Sequence, residues 1–266
     1  MINFKRVRTI IDKEWAEVFK NRVVLFTIVL MPVLFTALPI VMLSVTAGTP
    51  GAAGAGAADV PGQFAQYCAN MTATDCMQIY IMNEFLLLYL ILPVMIPITI
   101  AAYSVVGEKA THSLEPLLAT PITTEELLIG KALAAVIPAI GATAASFLIF
   151  LLATFFLKIS SAVRSYIFGP TWLLAILLVG PLISVVAVNF ALYVSSRTSD
   201  PRVAEQVSAI LILPLLLVLF SQVAGVITIS VASVLIAAAV LVVIDIVMVI
   251  FGSRLFQRET ILTRWK

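Results

Sequence analysis

Charge is scarce in this chain. Lys, Arg, Asp and Glu together make up 11% of its 266 residues, whereas soluble domains carry about a quarter, so a water-exposed globular surface is excluded. Histidine is scarcer still: His112 is alone, and neither a His-based metal site nor a catalytic triad can be assembled from it. The one Gly-Lys pair, Gly130-Lys131, lacks the earlier glycine and the Ser or Thr of a phosphate-binding loop. ATP hydrolysis therefore has no machinery here, and no cofactor is expected in the chain itself. An intramembrane enzyme is no better supplied, because the apolar stretches offer one deep Asp and neither His nor Cys.

What is abundant is hydrocarbon: the chain is 62% hydrophobic, with a mean hydropathy of +1.13, so a bilayer is its solvent. A lipid-embedded backbone must satisfy its hydrogen bonds internally, which takes about 20 apolar residues per helical crossing. Six stretches qualify, approximately Val23 to Val45, Glu84 to Val106, Leu127 to Leu157, Thr171 to Ser195, Val207 to Thr228 and Ser230 to Phe251. The expected fold is an all-α, polytopic membrane protein with six transmembrane helices and residues 1–266 as one transmembrane domain. Between Gln206 and Ile244 no charge occurs, and Gly225, Thr228 and Ser230 mark the turn. One span plus a re-entrant hairpin is the alternative reading there. The first stretch, roughly 23 residues, is too long for the apolar core of a cleaved signal peptide.

Six spans put both termini on one side. Of the sixteen Lys and Arg residues, only Lys158 and Arg164 then fall outside, leaving fourteen inside. Inner loops retain Lys and Arg, so both termini are expected in the cytoplasm, with the protein in the cell (inner or plasma) membrane. Cys68 and Cys76 share the outer segment 46–83 and are a disulfide candidate, because that compartment can be oxidising. The Gly-, Ala- and Pro-rich part of that segment, 47–62, reads as a flexible linker, and 63–82 as a short helix or hairpin over the outer mouth.

Before the first span, Phe4, Val7, Ile11, Trp15 and Val18 recur at three- and four-residue steps, the pattern of a helix lying along the inner leaflet over residues 1–22. The inner loop 107–126 is the most structured-looking connection, and 107–131 reads GEKATHSLEPLLATPITTEELLIGK. Thr111 or Ser113 caps a short helix, Pro116 sits in its first turn, Pro121 breaks it, and Thr123 with Glu126 forms a capping box for the next helix. That next helix is on the order of 50 Å long at about 1.5 Å per residue, longer than the hydrocarbon layer of about 30 Å. The loop therefore projects a short apolar helix on a rigid stalk.

The run GEK, SLEPLLATP and ELLIGK closely resembles the permease subunits of ABC transporters of the second export class (the ABC-2 type), whose wording is close to GE-K-x-x-G-T-L-E-x-L-L-x-T-P. It departs at His112 and Ser113, where that family commonly has Gly and Thr. The opening KEWAEVFKNR and the later SSRTSDPRVAEQVSAILILP are similar to the family's interfacial helix and fourth-to-fifth link. The sodium-efflux permeases are the nearest branch, although their large outer domain is missing. The resemblance implies an ATP-driven exporter in which Glu108, Ser113, Leu114, Glu115, Leu117 and Leu118 dock a separate nucleotide-binding subunit that holds ATP and Mg. It also implies a second permease copy or a sister permease, and no nucleic acid.

Remaining polar residues are weighed on cost. Asp245 is the one acid deep in a span, where an ionisable group is expensive unless paired or wetted; it is either a cation, proton or substrate contact, or a hydrogen-bonding partner of Asn189. Glu84 is a boundary residue at the outer end of its span. Prolines 32, 39, 93, 97, 138, 181 and 214 fall inside spans and kink them or shape packing. Gly141, Ala142, Ala144, Ala145 and Ser146 allow close helix approach, such as at a subunit interface. The competing reading is a non-transporting membrane scaffold or sensor component. The cargo is not legible, although so few intramembrane charges favour an apolar or amphipathic one.

Overall fold

The computed structural model describes residues 3–48, 71–110, 122–198 and 200–255. No strand occurs among them, and six helical segments are long and apolar enough to cross a membrane. Helix α1 (Phe4–Val18) precedes α2 (Arg22–Gly48), which is the first span. The second consists of α3 (Ala73–Tyr89) and α4 (Leu92–Ala110), and the third is α5 (Thr124–Phe156). The fourth assembles from α6 (Ser161–Ile167), α7 (Pro170–Leu174), a π-helical turn (Ala175–Val179) and α8 (Gly180–Arg197). In the fifth, α9 (Pro201–Ser208) leads through a 3₁₀ turn (Ala209–Leu211) into α10 (Ile212–Val223), and α11 (Val231–Leu255) is the sixth.

Local chemistry sets many of the boundaries. Thr72, Thr123, Ser160 and Asp200 each accept a hydrogen bond from a backbone N–H of the helix they open, satisfying donors that have no intrahelical partner. Gly225 turns the chain between α10 and α11 at a φ of 72°, a left-handed conformation open to glycine at little cost. The last two spans are thus two separate helices and not one span with a re-entrant hairpin.

Two sequence expectations need correction. Residues from Ala73 onward do not lie as a separate element over the mouth but begin the helix of the second span itself; 63–70 are outside the described residues. The most apolar stretch of the second span is 83% buried, against 11% for each of the last two spans, so this span lies inside the bundle although α3 carries Gln78, Asn83 and Glu84. The fifth-span helix also starts earlier than expected, at Pro201, because Ala204 and Ser208 give its first two turns a face to bury.

Helix α4 is central and packs against α2, α5, α8 and α9. Next to it, Trp172 stacks on Phe147 at 5.8 Å and on Phe150 at 5.6 Å, with Tyr89 edge-on to Trp172 at 5.8 Å. The Tyr89 hydroxyl reaches Thr36 Oγ1 at 3.3 Å and the Ser146 carbonyl at 3.4 Å, so this cluster joins the first four spans. Pro93, Pro181 and Pro214 each fall within the first three residues after a helix irregularity: the turn at 90–91, the π turn and the 3₁₀ turn. A proline lacks an N–H and crowds the carbonyl four residues back, so the ladder is interrupted where it cannot continue.

The bundle has two distinguishable ends. One carries α1, the first turns of α5 and the last turn of α8; the other carries α6, the Gly225 turn and the contact of Gln78 Nε2 with Thr46 Oγ1 at 3.1 Å.

Candidate functional site

The expected docking loop lies mostly outside what can be described: Ser113, Leu114, Glu115, Leu117 and Leu118 are outside the described residues, and Glu108 is placed only as backbone in the last turns of α4. What the structure does describe is the seat from which that loop emerges. Thr123 and Glu126 form the expected capping box, with Thr123 N donating to Glu126 Oε2 at 3.0 Å and Glu126 N to Thr123 Oγ1 at 3.2 Å. The same carboxylate accepts from the backbone N–H of Asn3 at 2.8 Å and pairs with Arg6 Nη1 at 3.5 Å. One acid thereby anchors the starts of both α5 and α1, where helix dipoles favour negative charge.

Three further contacts hold α1 to the same stretch. Gly130 lets the helices meet: a Cβ there would lie 2.7 Å from Ile10 Cγ2 and 2.8 Å from Ile10 Cβ. One residue on, Lys131 Nζ pairs with Glu14 Oε1 at 2.7 Å and donates to Ser104 Oγ at 2.8 Å, while Ser104 Oγ donates to Glu14 Oε2 at 2.5 Å. This triad ties α1, α4 and α5 together, with Glu14 1% and Lys131 4% exposed. Burial alone would raise the Glu14 carboxyl, but the Lys131 ammonium and the hydrogen bonds from Lys131 and Ser104 outweigh it and hold the group below its ordinary range.

The third contact answers a proline. Pro138 has no N–H to offer the Ala134 carbonyl four residues back. Trp15 Nε1 donates to that carbonyl at 2.9 Å. Pro97 is treated alike deeper in the bundle, where Ser184 Oγ donates to the Pro93 carbonyl at 2.8 Å. Buried carbonyls need such partners.

The buried stripe of α1 is therefore Val7, Ile10, Glu14 and Val18, with Trp15 and Ile11 half-buried and Phe4 82% exposed. Of the expected stripe Phe4, Val7, Ile11, Trp15 and Val18, Val7 and Val18 are buried, while Ile10 and Glu14 take the places expected for Ile11 and Trp15 and Phe4 lies outside it. An acid at a core position is read from sequence as a surface residue, and only the lysine across the interface reverses that reading. A signal existed: Lys131 is the sole charge following an apolar turn at the entry of the third span.

Other candidate residues are dispersed. Asn189 Nδ2 donates to the Val185 carbonyl of its own helix at 2.9 Å, and Asp245 Oδ1 is buried without a hydrogen-bond partner; the two are not brought together. Cys76 is disulfide-bonded, and Cys68 lies outside the described residues. Gly141 and Ala145 face open space on α5. Among the described residues no group of three or more His, Cys, Asp or Glu side chains could hold a metal ion.

No curated protein matches the chain. Residues 8–236, which hold α1 from Arg8 onward, the triad and the first five spans, match the ABC-2 family transporter proteins. The match covers most of the chain, including five of the six candidate spans and most of the helix bolted to the third, and the chain belongs to the ABC-2 family, as a membrane permease component of an ABC transporter.

Proposed function

We propose that this permease works as the membrane half of an ATP-driven exporter and receives force from a separate nucleotide-binding subunit through residues 107–121. Glu108, Ser113, Leu114, Glu115, Leu117 and Leu118 form the docking surface, and ATP with Mg is held by the partner. The observation that carries this reading is the fastening of α1 to the base of α5. Residues 122–123 lead from that loop into α5 at the fastening, so a push on the loop moves α1 and the third span as one body. Helix α5 spans 33 residues, on the order of 50 Å at about 1.5 Å per residue, and carries the displacement to the far end.

In this reading the α1 end is cytoplasmic. Lys5, Arg6, Arg8, Lys13, Lys20, Arg22, Lys131, Arg197 and Arg202 lie there in the chain's course, against Lys158 and Arg164 at the other end, which accords with retention of basic residues inside. A second permease copy or a sister permease completes the path, with the open Gly141 and Ala145 face of α5 available for close approach. The overall plan resembles that of the sodium-efflux permeases, without sodium as an assigned cargo.

The test is co-purification of the permease with its ATPase subunit. Leu117→Asp or Leu118→Asp is expected to abolish it while leaving the thermal unfolding of the permease unchanged. Retention of both binding and ATPase stimulation in these variants sinks the docking role.

A further inference from the structure

A cavity of about 490 Å³ lies between the second span and the last three spans. Every residue lining it is apolar except Ser233. Its size falls within the range of small-molecule sites, about 300–1,000 Å³. Lining positions run in stripes: Leu211, Leu215 and Val218 on the fifth span, and Leu86, Leu87 and Leu90 on α3.

Continue each stripe one turn toward the Gly225 end and it becomes polar. On the fifth span the next residue is Gln222, and on α3 the preceding ones are Asn83 and Glu84. Tyr80 and Gln222 flank the Glu84 carboxyl. Gln222 is 3% exposed, and neither atom of its amide has a hydrogen-bond partner. Asn83 is fully buried; its Oδ1 accepts from the Tyr166 hydroxyl at 2.8 Å, but its Nδ2 donates to nothing, and both Glu84 oxygens are likewise without a geometric partner. Buried polar groups left without partners are destabilising. Glu84 and Gln222 lie beside each other one helical turn beyond the lining of an otherwise apolar cavity, and their unfilled acceptors are the pattern of a site whose ligand supplies donors.

We propose that this cavity binds a single-chain amphiphile, with its hydrocarbon between the second, fifth and sixth spans and an ammonium head at Glu84 and Gln222. An ammonium presents three donors and no acceptor. The cluster offers it three acceptors, the two Glu84 oxygens and Gln222 Oε1, and a positive head compensates the carboxylate, whereas a carboxylate head meets like charge. This deepens the transport reading and rests on it, since it names the class of cargo.

The experiment measures equilibrium binding of radiolabelled dodecylamine and dodecanoate to the full chain in phosphatidylcholine nanodiscs, with partition into empty discs subtracted. Saturable binding of dodecylamine is expected, with dodecanoate about tenfold weaker, a difference of about 1.4 kcal/mol. Glu84→Gln keeps the shape, and it should erase the head preference while chain binding persists. Ala237→Phe fills the cavity from the α11 side and should weaken both ligands about tenfold or more without lowering the unfolding temperature. Equal binding of the two ligands by the wild type, uptake no greater than in empty discs, or undiminished binding by a stably folded Ala237→Phe overturns the proposal. Because no ATPase subunit is present, these outcomes are separate from failure of the docking experiment, which would strike the export reading alone.

Discussion

At the scale of single residues, the informative side chains are the ones that answer a defect elsewhere. Glu14 and Lys131 are each costly to bury and tolerable only together. Lys131→Met leaves the Glu14 carboxylate with only Ser104 and Lys13, at 3.7 Å, as partners among the described residues and is expected to cost about 3–5 kcal/mol, whereas Glu14→Met with Lys131→Met should recover most of that loss; chemical unfolding of the detergent-solubilised protein measures both. The pH dependence has a definite sign. The Glu14 carboxyl is lowered from its ordinary 4.5, so its stabilisation is fully present above about that value and is lost as pH falls through the folded-state pKa. Unfolding temperatures taken from neutral pH down to about pH 3 should fall more steeply in the wild type than in Glu14→Gln. Parallel curves would show that the triad does not titrate as described.

At the scale of elements, α1 and α5 behave as one unit because of the missing side chain at Gly130. Gly130→Ala sets a methyl group against Ile10 Cβ and Cγ2, atoms near the backbone that cannot swing aside. The expected loss is about 1–3 kcal/mol by overpacking, and Ile10→Ala in the same chain should restore it. If the second change adds to the loss in calorimetry, the helices do not meet there. This contact also marks what could be read in advance. Apolar runs of adequate length located six spans, and the Thr123 to Glu126 spacing located the start of α5, since both signals are local. The partner of Gly130, the pairing of Glu14 with Lys131 and the hydrogen bond of Trp15 to the carbonyl freed by Pro138 are contacts over more than a hundred residues. Glycine-lysine was read only for the phosphate loop it fails to make. Its actual reason, a close approach followed by a buried cation, is visible only once α1 lies against it.

At the scale of the whole molecule, the arrangement divides a well-anchored inner core from loosely held outer spans. The second span is the most enclosed, and the last two are held along narrow faces. Motion imposed at the α1 end should therefore travel along α5 while α10 and α11 follow separately. In the complex with its ATPase subunit, adding ATP is expected to change amide hydrogen exchange along residues 139–156 of the wild type. With Trp15→Phe and Glu14→Gln combined, the subunit should still bind, but the change should stop short of Pro138. An unaltered response past Pro138 would mean that force takes another route.

The π-helical turn at Ala175–Val179 gives the fourth span one residue more than a regular helix would use. Because each residue of an α-helix advances about 100° around the axis, that surplus sets the azimuth of everything on its α7 side relative to α8. Trp172 faces the rings of Phe147, Phe150 and Tyr89 on one side of the turn, while Ser184 faces the Pro93 carbonyl on the other. A straight α-helix with the same sequence could satisfy one of those two appointments but would swing the other out toward the hydrocarbon.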